Sequence, residues 1–180
     1  MVVVKEAFSA IKVIELQSFV DDRGFFRETF SESNHRAIGI TETFLQDNQS
    51  RSERGVLRGL HFTVNNPQAQ LMTVLRGSVF DVVVDIRQGS STYGQYFGIT
   101  LSDSGPQQIY MPDGFAHGFL VLSDYADLHY KVSKLYRAED EAGLLWNDPE
   151  LNIEWPEFPT SISKRDLSHP TLQHYDQRHS

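Results

Sequence analysis

Arg58 and His61 stand three residues apart in the run Gly55-Val56-Leu57-Arg58-Gly59-Leu60-His61-Phe62, which is otherwise apolar. A guanidinium stabilises a developing oxyanion, and an imidazole takes up a proton near neutral pH. Together they suit removal of a proton beside a carbonyl. The run reads as a β-strand, and a regular strand alternates its side chains with period two. Arg58 and His61 would then face opposite sides. Gly59 between them offers a kink or bulge that turns both toward one cavity. The competing reading is a surface arginine and a half-buried histidine at a strand end.

The elements that must position such a pair are short. The 180 residues amount to about one domain, so residues 1–180 read as a single unit. A hydrophobic share of 39% and an aromatic share of 12% suit one substantial core built on sheet faces. Strand-like runs fall at 12–16, 24–29, 44–50, 55–62, 70–76, 78–86, 93–101, 107–111, 116–121 and 126–136, separated by Gly, Pro, Asn or Asp turns. A helix is expected at 32–38, capped by Ser31 and ended by Gly39. Many closely spaced strands predict an all-β fold, an antiparallel sandwich or barrel of jelly-roll type with a few short peripheral helices. The tail after Trp155 reads as a loop with a short helix lying over the body.

Composition narrows the function classes. A formal charge of −8 argues against nucleic acid or an anionic membrane as the main partner, while leaving room for a local basic pocket. The chain has no Cys, hence no disulfide framework, thiolate metal site or Cys nucleophile, which fits a cytoplasmic protein. The first residues, MVVVKEAFSAIKVIEL, do not read as a signal peptide, and no stretch reads as a membrane span.

Several separated motifs stand in one order along the chain. They are Asp22-Arg23-Gly24-Phe25-Phe26 with Glu28, then Gln46-Asp47-Asn48, the Arg58/His61 run, and Phe80-Asp81-Val82-Val83-Val84-Asp85-Ile86-Arg87. Pro112-Asp113-Gly114-Phe115-Ala116-His117-Gly118-Phe119, Tyr130-Lys131, Leu145-Trp146-Asn147-Asp148-Pro149, Ile153-Glu154-Trp155-Pro156 and Ile162-Ser163-Lys164-Arg165-Asp166 follow. As a set, covering nearly the whole chain, they resemble the dTDP-4-dehydrorhamnose 3,5-epimerase family.

The resemblance implies a cupin-type jelly roll, a homodimer, and a dTDP-linked 4-keto-6-deoxyhexose as substrate. It implies epimerisation at C3, C5 or both, through an enolate and without metal or nicotinamide cofactor. His61 matches the family's base and Tyr130 the acid across the sugar. Arg58 matches the cation that holds the enolate. Asp166 matches the carboxylate partner of His61; Asp85, at the end of a strand, is the competing partner on the residues alone. Arg23 matches a diphosphate-binding arginine that reaches the neighbouring subunit's site. Glu28, Gln46 and Asn48 match polar contacts to base and sugar, and His117 a donor near the hexose. Tyr136 matches an aromatic that stacks on thymine, and Glu141 and Arg165 match further polar contacts. Asp148 and Trp155 read as packing and turn residues. The chain departs from the family at Gln70, where a lysine is common. An amide there donates a hydrogen bond but carries no charge. That departure keeps open a one-carbon epimerase, another keto sugar, or a non-catalytic binding protein.

Overall fold

Two antiparallel sheets face each other in the computed structural model, which describes residues 1–179. With strands numbered in chain order, the first sheet runs β1 (Val2–Ala7), β2 (Ile11–Glu15), β10 (Gln107–Met111), β7 (Gln70–Arg76), β12 (Tyr125–Val132) and β5 (Gln46–Glu53). The second runs β13 (Glu141–Gly143), β6 (Val56–Thr63), β11 (Phe115–Val121), β8 (Ser78–Asp85) and β9 (Tyr96–Ser102). A two-residue strand, β14 (Ser161–Ile162), adds to β6 in parallel. A separate hairpin pairs β3 (Ser18–Asp21) with β4 (Gly24–Arg27). Helices are short: α1 (Glu32–Ala37), α2 (Lys164–Leu167), α3 (Leu172–His179) and a 3-10 turn at Ala138–Asp140. This is the expected all-β, cupin-like sandwich.

Burial on both faces explains the run in β8. Val79 and Val83 join Met72, Val74, Ile109, Phe115 and Phe119 between the sheets. Val82 and Val84 face the other way, packing with Leu60, Phe62 and Ala116 beneath Leu144, Leu151 and Leu172. A strand covered on both sides needs no polar alternation. The C-terminal segment is therefore a structural cover as well as a loop. Asp148 pins it, accepting from Leu172 N at 2.6 Å and Glu150 N at 2.8 Å. Trp155 Nε1 donates to Trp146 O at 3.0 Å. Both residues have the packing roles expected of them.

Several boundaries differ from the sequence reading. β1 and β3 were not expected; β1 is an edge strand and β3 half of an exposed hairpin, so neither shows a clean core pattern. The strand expected at 126–136 ends at Val132, because the ladders with β5 and β7 end opposite it at Gln46 and Gln70 and only Ser133 bonds on, to Ala69. The strand expected from 93 starts at Tyr96, since Ser90 and Thr92 are held in a turn by the Asp85 carboxylate. Helix α1 matches its expectation, with Ser31 as cap and Gly39 at φ +81° beyond it. No helix among the described residues is long and apolar enough to cross a membrane.

Candidate active site

A bulge in β6 decides where Arg58 and His61 point. His61 lies opposite His117 and Arg58 opposite Phe119, with a register shift between the two pairs. Two β6 residues thus span the place of one on β11, and the alternation is reset. Gly59 adopts φ +122°, and the Gly59–Leu60 peptide is cis. A Cβ on Gly59 would lie 2.5 Å from Gly118 Cα and 2.8 Å from His117 O. Only glycine allows that approach. Arg58 and His61 consequently line the same cavity, of about 380 Å³, between the sheets.

The first sheet supplies the facing wall. Gln46, Asn48 and Ser50 line it at period two along β5, with Tyr130 from β12 and Gln70 and Met72 from β7. Arg58, His61 and His117 come from the second sheet. An imidazole and a phenol therefore occupy opposite walls.

His61 Nε2 lies 2.9 Å from Asp166 Oδ1, and the Gly59 amide donates to Asp166 Oδ2 at 3.3 Å. Asp166 sits in α2, where its own amide donates to the capping Ser163 Oγ at 3.0 Å. It is only 2% exposed, not a loop charge in solvent. Burial pushes its carboxyl up, but the hydrogen bond and charge of His61, with the Gly59 amide and Ser163, outweigh this and hold it at about 2. An ionised carboxylate only accepts, so His61 Nε2 carries the proton and Nδ1 keeps a free lone pair. Asp85, the competing partner, is tied instead by Arg87, Ser90 and Thr92. Burial raises its carboxyl, yet these donors hold it well below the usual range.

Glu141 organises the rim. Arg165 grips it with two nitrogens, at 2.7 and 2.9 Å, and Tyr136 OH donates to it at 2.8 Å. Burial alone would raise the Glu141 carboxyl; Arg165 and Tyr136 bring it below its ordinary value. Gln46 Oε1 accepts from Tyr136 N at 3.0 Å, and Gln46 Nε2 donates to Asn48 Oδ1 at 2.7 Å. Arg58 Nε donates to Ser52 Oγ at 2.9 Å, which fixes the guanidinium in the wall. Burial raises the Tyr130 phenol; the positive charge of Arg58 opposes this and the carboxylate of Glu141 adds to it, leaving the phenol protonated at neutral pH.

The structure thus gathers Arg58, His61, Tyr130, Gln46, Asn48, Gln70, His117, Tyr136, Glu141 and Arg165 around one cavity, with Asp166 directly behind His61. Arg23 and Glu28 do not line it. Arg23 is at the turn of the β3–β4 hairpin, paired with Asp21 at 2.5 Å, and Glu28 accepts from Asn34 Nδ2 at 2.7 Å. His129 is on the outer face of β12, 3.5 Å from Asp47, as strand alternation requires. Arg58 and Arg165 are the cations of the wall; no lysine lines it, so nothing there replaces the charge that Gln70 lacks.

Sequence reasoning passed over three supporting side chains. Asp81 Oδ2 lies 2.7 Å from His117 Nε2, and its signal was a carboxylate inside a valine run. Ser52 behind Arg58 carried no signal. Nor did His169, whose Nε2 lies 3.7 Å from Asp166 Oδ1. Among the described residues, His61, Asp166 and His169 are the group whose donor atoms, all within 4.8 Å of one another, could hold a metal ion.

Comparison with known proteins points to one family. The family model described as dTDP-4-dehydrorhamnose 3,5-epimerase matches residues 5–174. A dTDP-4-dehydrorhamnose 3,5-epimerase of Salmonella typhimurium is 43% identical over 176 residues, covering 96% of each chain. A crystal structure of dTDP-6-deoxy-D-glucose-3,5-epimerase from Legionella pneumophila, in complex with dTDP-4-keto-L-rhamnose, superposes with a TM-score of 0.94 at 43% identity, covering 98% of this chain and 95% of that one. A 3'-monoepimerase from Streptomyces bikiniensis in complex with dTDP-quinovose is also similar, with a TM-score of 0.88 at 34% identity over 94% of this chain and 87% of that one. Matched over nearly its whole length in sequence and in fold, the chain belongs to the dTDP-4-dehydrorhamnose 3,5-epimerase family, whose members are isomerases.

Proposed function

We propose that the whole chain acts as one catalytic unit that epimerises a dTDP-linked 4-keto-6-deoxyhexose at C3 and C5. The observation that carries this reading is the placement of His61 and Tyr130 on opposite walls of one cavity, with Arg58 between the sheets beside them. Inversion needs that arrangement, because the proton must leave one face of the carbon and return to the other.

His61 Nδ1 takes the proton from the carbon beside the ketone, and the C–H electron pair becomes the enolate. Asp166 fixes the tautomer that leaves Nδ1 free and stabilises the imidazolium as it forms. Arg58 holds the enolate oxygen; one preorganised donor of this kind contributes roughly 10²–10³ in rate. The Tyr130 phenol then delivers a proton from the opposite face. Solvent reprotonates the phenolate and takes the proton from His61, and a second round treats the other carbon.

His117, which lines the cavity with its Nε2 held by Asp81, contacts the hexose in this scheme. Gln46, Asn48, Glu141 and Arg165 bind the nucleotide end, where Tyr136 stacks on the base. Arg23 and Glu28 belong to this scheme through a homodimer. Phe19, Val20, Phe25 and Phe26 of the hairpin are all more than half exposed, which supports a second copy covering them and receiving Arg23. The reaction is assigned to the cytoplasm, since a cysteine-free chain draws no stability from an oxidising compartment.

Gln70 favours one alternative: loss of a second cation beside the enolate restricts the enzyme to one carbon. Incubation with dTDP-4-keto-6-deoxyglucose in D₂O, read by NMR, separates the two. Deuterium at C3 and C5 is expected. Label at one carbon would establish the single-site reading, and no label would overturn both.

A further inference from the structure

His169 is the one imidazole beside the dyad that the proposed chemistry does not use. It follows α2 and is held by the next residue, Pro170, whose carbonyl accepts from Leu145 N at 2.8 Å. Its ring packs on Gly143, where a Cβ would come within 2.4 Å of Nε2, so residue 143 must be glycine for the ring to lie there. Gly143 pairs with His61 across β13 and β6, which brings the two rings edge to face, 5.7 Å between centroids. Nε2 of His169 is buried and has no hydrogen-bond partner among the described residues. An orphaned buried nitrogen costs free energy unless something occupies it.

We propose that His61, Asp166 and His169 form an inhibitory site for a divalent cation of the zinc class. The three donor atoms are His61 Nε2, Asp166 Oδ1 and His169 Nε2. The first two are 2.9 Å apart, the last two 3.7 Å, and all lie within 4.8 Å of one another. One ion with bonds of about 2.0–2.2 Å reaches all three after small side-chain shifts. Two imidazoles and one carboxylate select zinc-like ions over magnesium or calcium, which prefer oxygen. Asp166 and Glu141 supply two negative charges against the single positive charge of Arg165, which lies 3.7 Å from Asp166 but is gripped by Glu141. The cavity side is left open as a fourth position.

Inhibition follows from the tautomer. In the metal-free dyad His61 carries its proton on Nε2 and keeps its lone pair on Nδ1. A cation on Nε2 displaces the proton there and binds the lone pair it leaves, and solvent returns a proton to Nδ1. The imidazole stays neutral, but the atom that must accept the substrate proton no longer can.

The binding half stands without the epimerase reading; the inhibition half rests on it. The test is therefore double. Zinc chloride is titrated calorimetrically into untagged protein, and deuterium exchange into the keto sugar is followed at rising zinc, with magnesium as control. The expected results are binding of one zinc per chain below about 100 µM, loss of exchange over the same range, and no effect of magnesium. His169→Phe keeps a ring over Gly143 without a ligand atom, and His169→Ala removes the ring. Either should keep metal-free exchange within about 2-fold and raise the half-inhibiting zinc concentration at least about 10-fold. Should both variants fail to fold, cobalt(II) added to the unmodified chain decides: visible d–d bands support the site and their absence overturns it. Equal zinc inhibition of the unmodified chain and its variants, equal inhibition by magnesium, or no zinc binding would also overturn it. Zinc binding without any exchange activity would support the site and sink the epimerase reading instead.

Discussion

Two histidine–carboxylate pairs line the same cavity, and they are built differently. His117 and Asp81 sit on adjacent regular strands, where Phe119 pairs with Asp81 in an unbroken β11–β8 ladder. Asp81 is fully buried, and its Oδ1 has no partner among the described residues. His61 sits on a bulged strand, and its partner Asp166 arrives from a helix 105 residues away. Asp166 has both oxygens engaged, one by the imidazole and one by the Gly59 amide. The bulge thus does two things: it turns His61 into the cavity and frees a backbone amide to fix the carboxylate. The ladder pair fixes its imidazole through one carboxylate oxygen on the neighbouring strand; the bulged pair fixes its own with a carboxylate that the strand's freed amide also holds.

His61→Asn tests that contrast most severely. It should lower substrate proton exchange by roughly 10²–10⁴-fold, whereas His117→Asn should cost only about 10- to 100-fold. Exchange in D₂O compares the two, and equal losses would erase the distinction. Gly59→Ala attacks the bulge itself. A Cβ there meets backbone at 2.5 Å with φ at +122°, so urea unfolding should show a loss of about 3 kcal/mol, with exchange falling as well.

Acid sharpens the comparison next. The Asp166 carboxyl is held at about 2 when folded, against about 3.9 unfolded. A depressed carboxyl stabilises the fold above its unfolded value. That contribution, about 2–3 kcal/mol, is lost as pH falls from about 4 toward 2. Asp166→Asn should flatten this limb of the stability curve, and an unchanged limb would refute the assignment. Gln70→Lys should have the smallest effect, a rise of about 10-fold or less in exchange as a second cation joins Arg58. An unchanged rate would show a cavity built around the amide.

Much of this was legible in the chain. Spacing and β-branched runs marked nine strands of the two facing sheets, and alternation separated Tyr130 from His129 correctly. The Arg58-Gly59-Leu60-His61 spacing announced both the chemistry and the need for a bulge. What local sequence could not decide was long-range partnership. Asp85 closes an apolar run and Asp166 follows two basic residues, yet only the fold gives one to Arg87 and the other to His61. Tyr136 looked like a strand residue because aromatic and β-branched neighbours favour strands, yet no strand lies opposite it to pair with. Residue types and their periodicity determined which side chains could do acid–base work and on which strand faces they lie. Tertiary structure decided which carboxylate ionises beside which imidazole, because burial, hydrogen bonds and charge act through space and not along the chain.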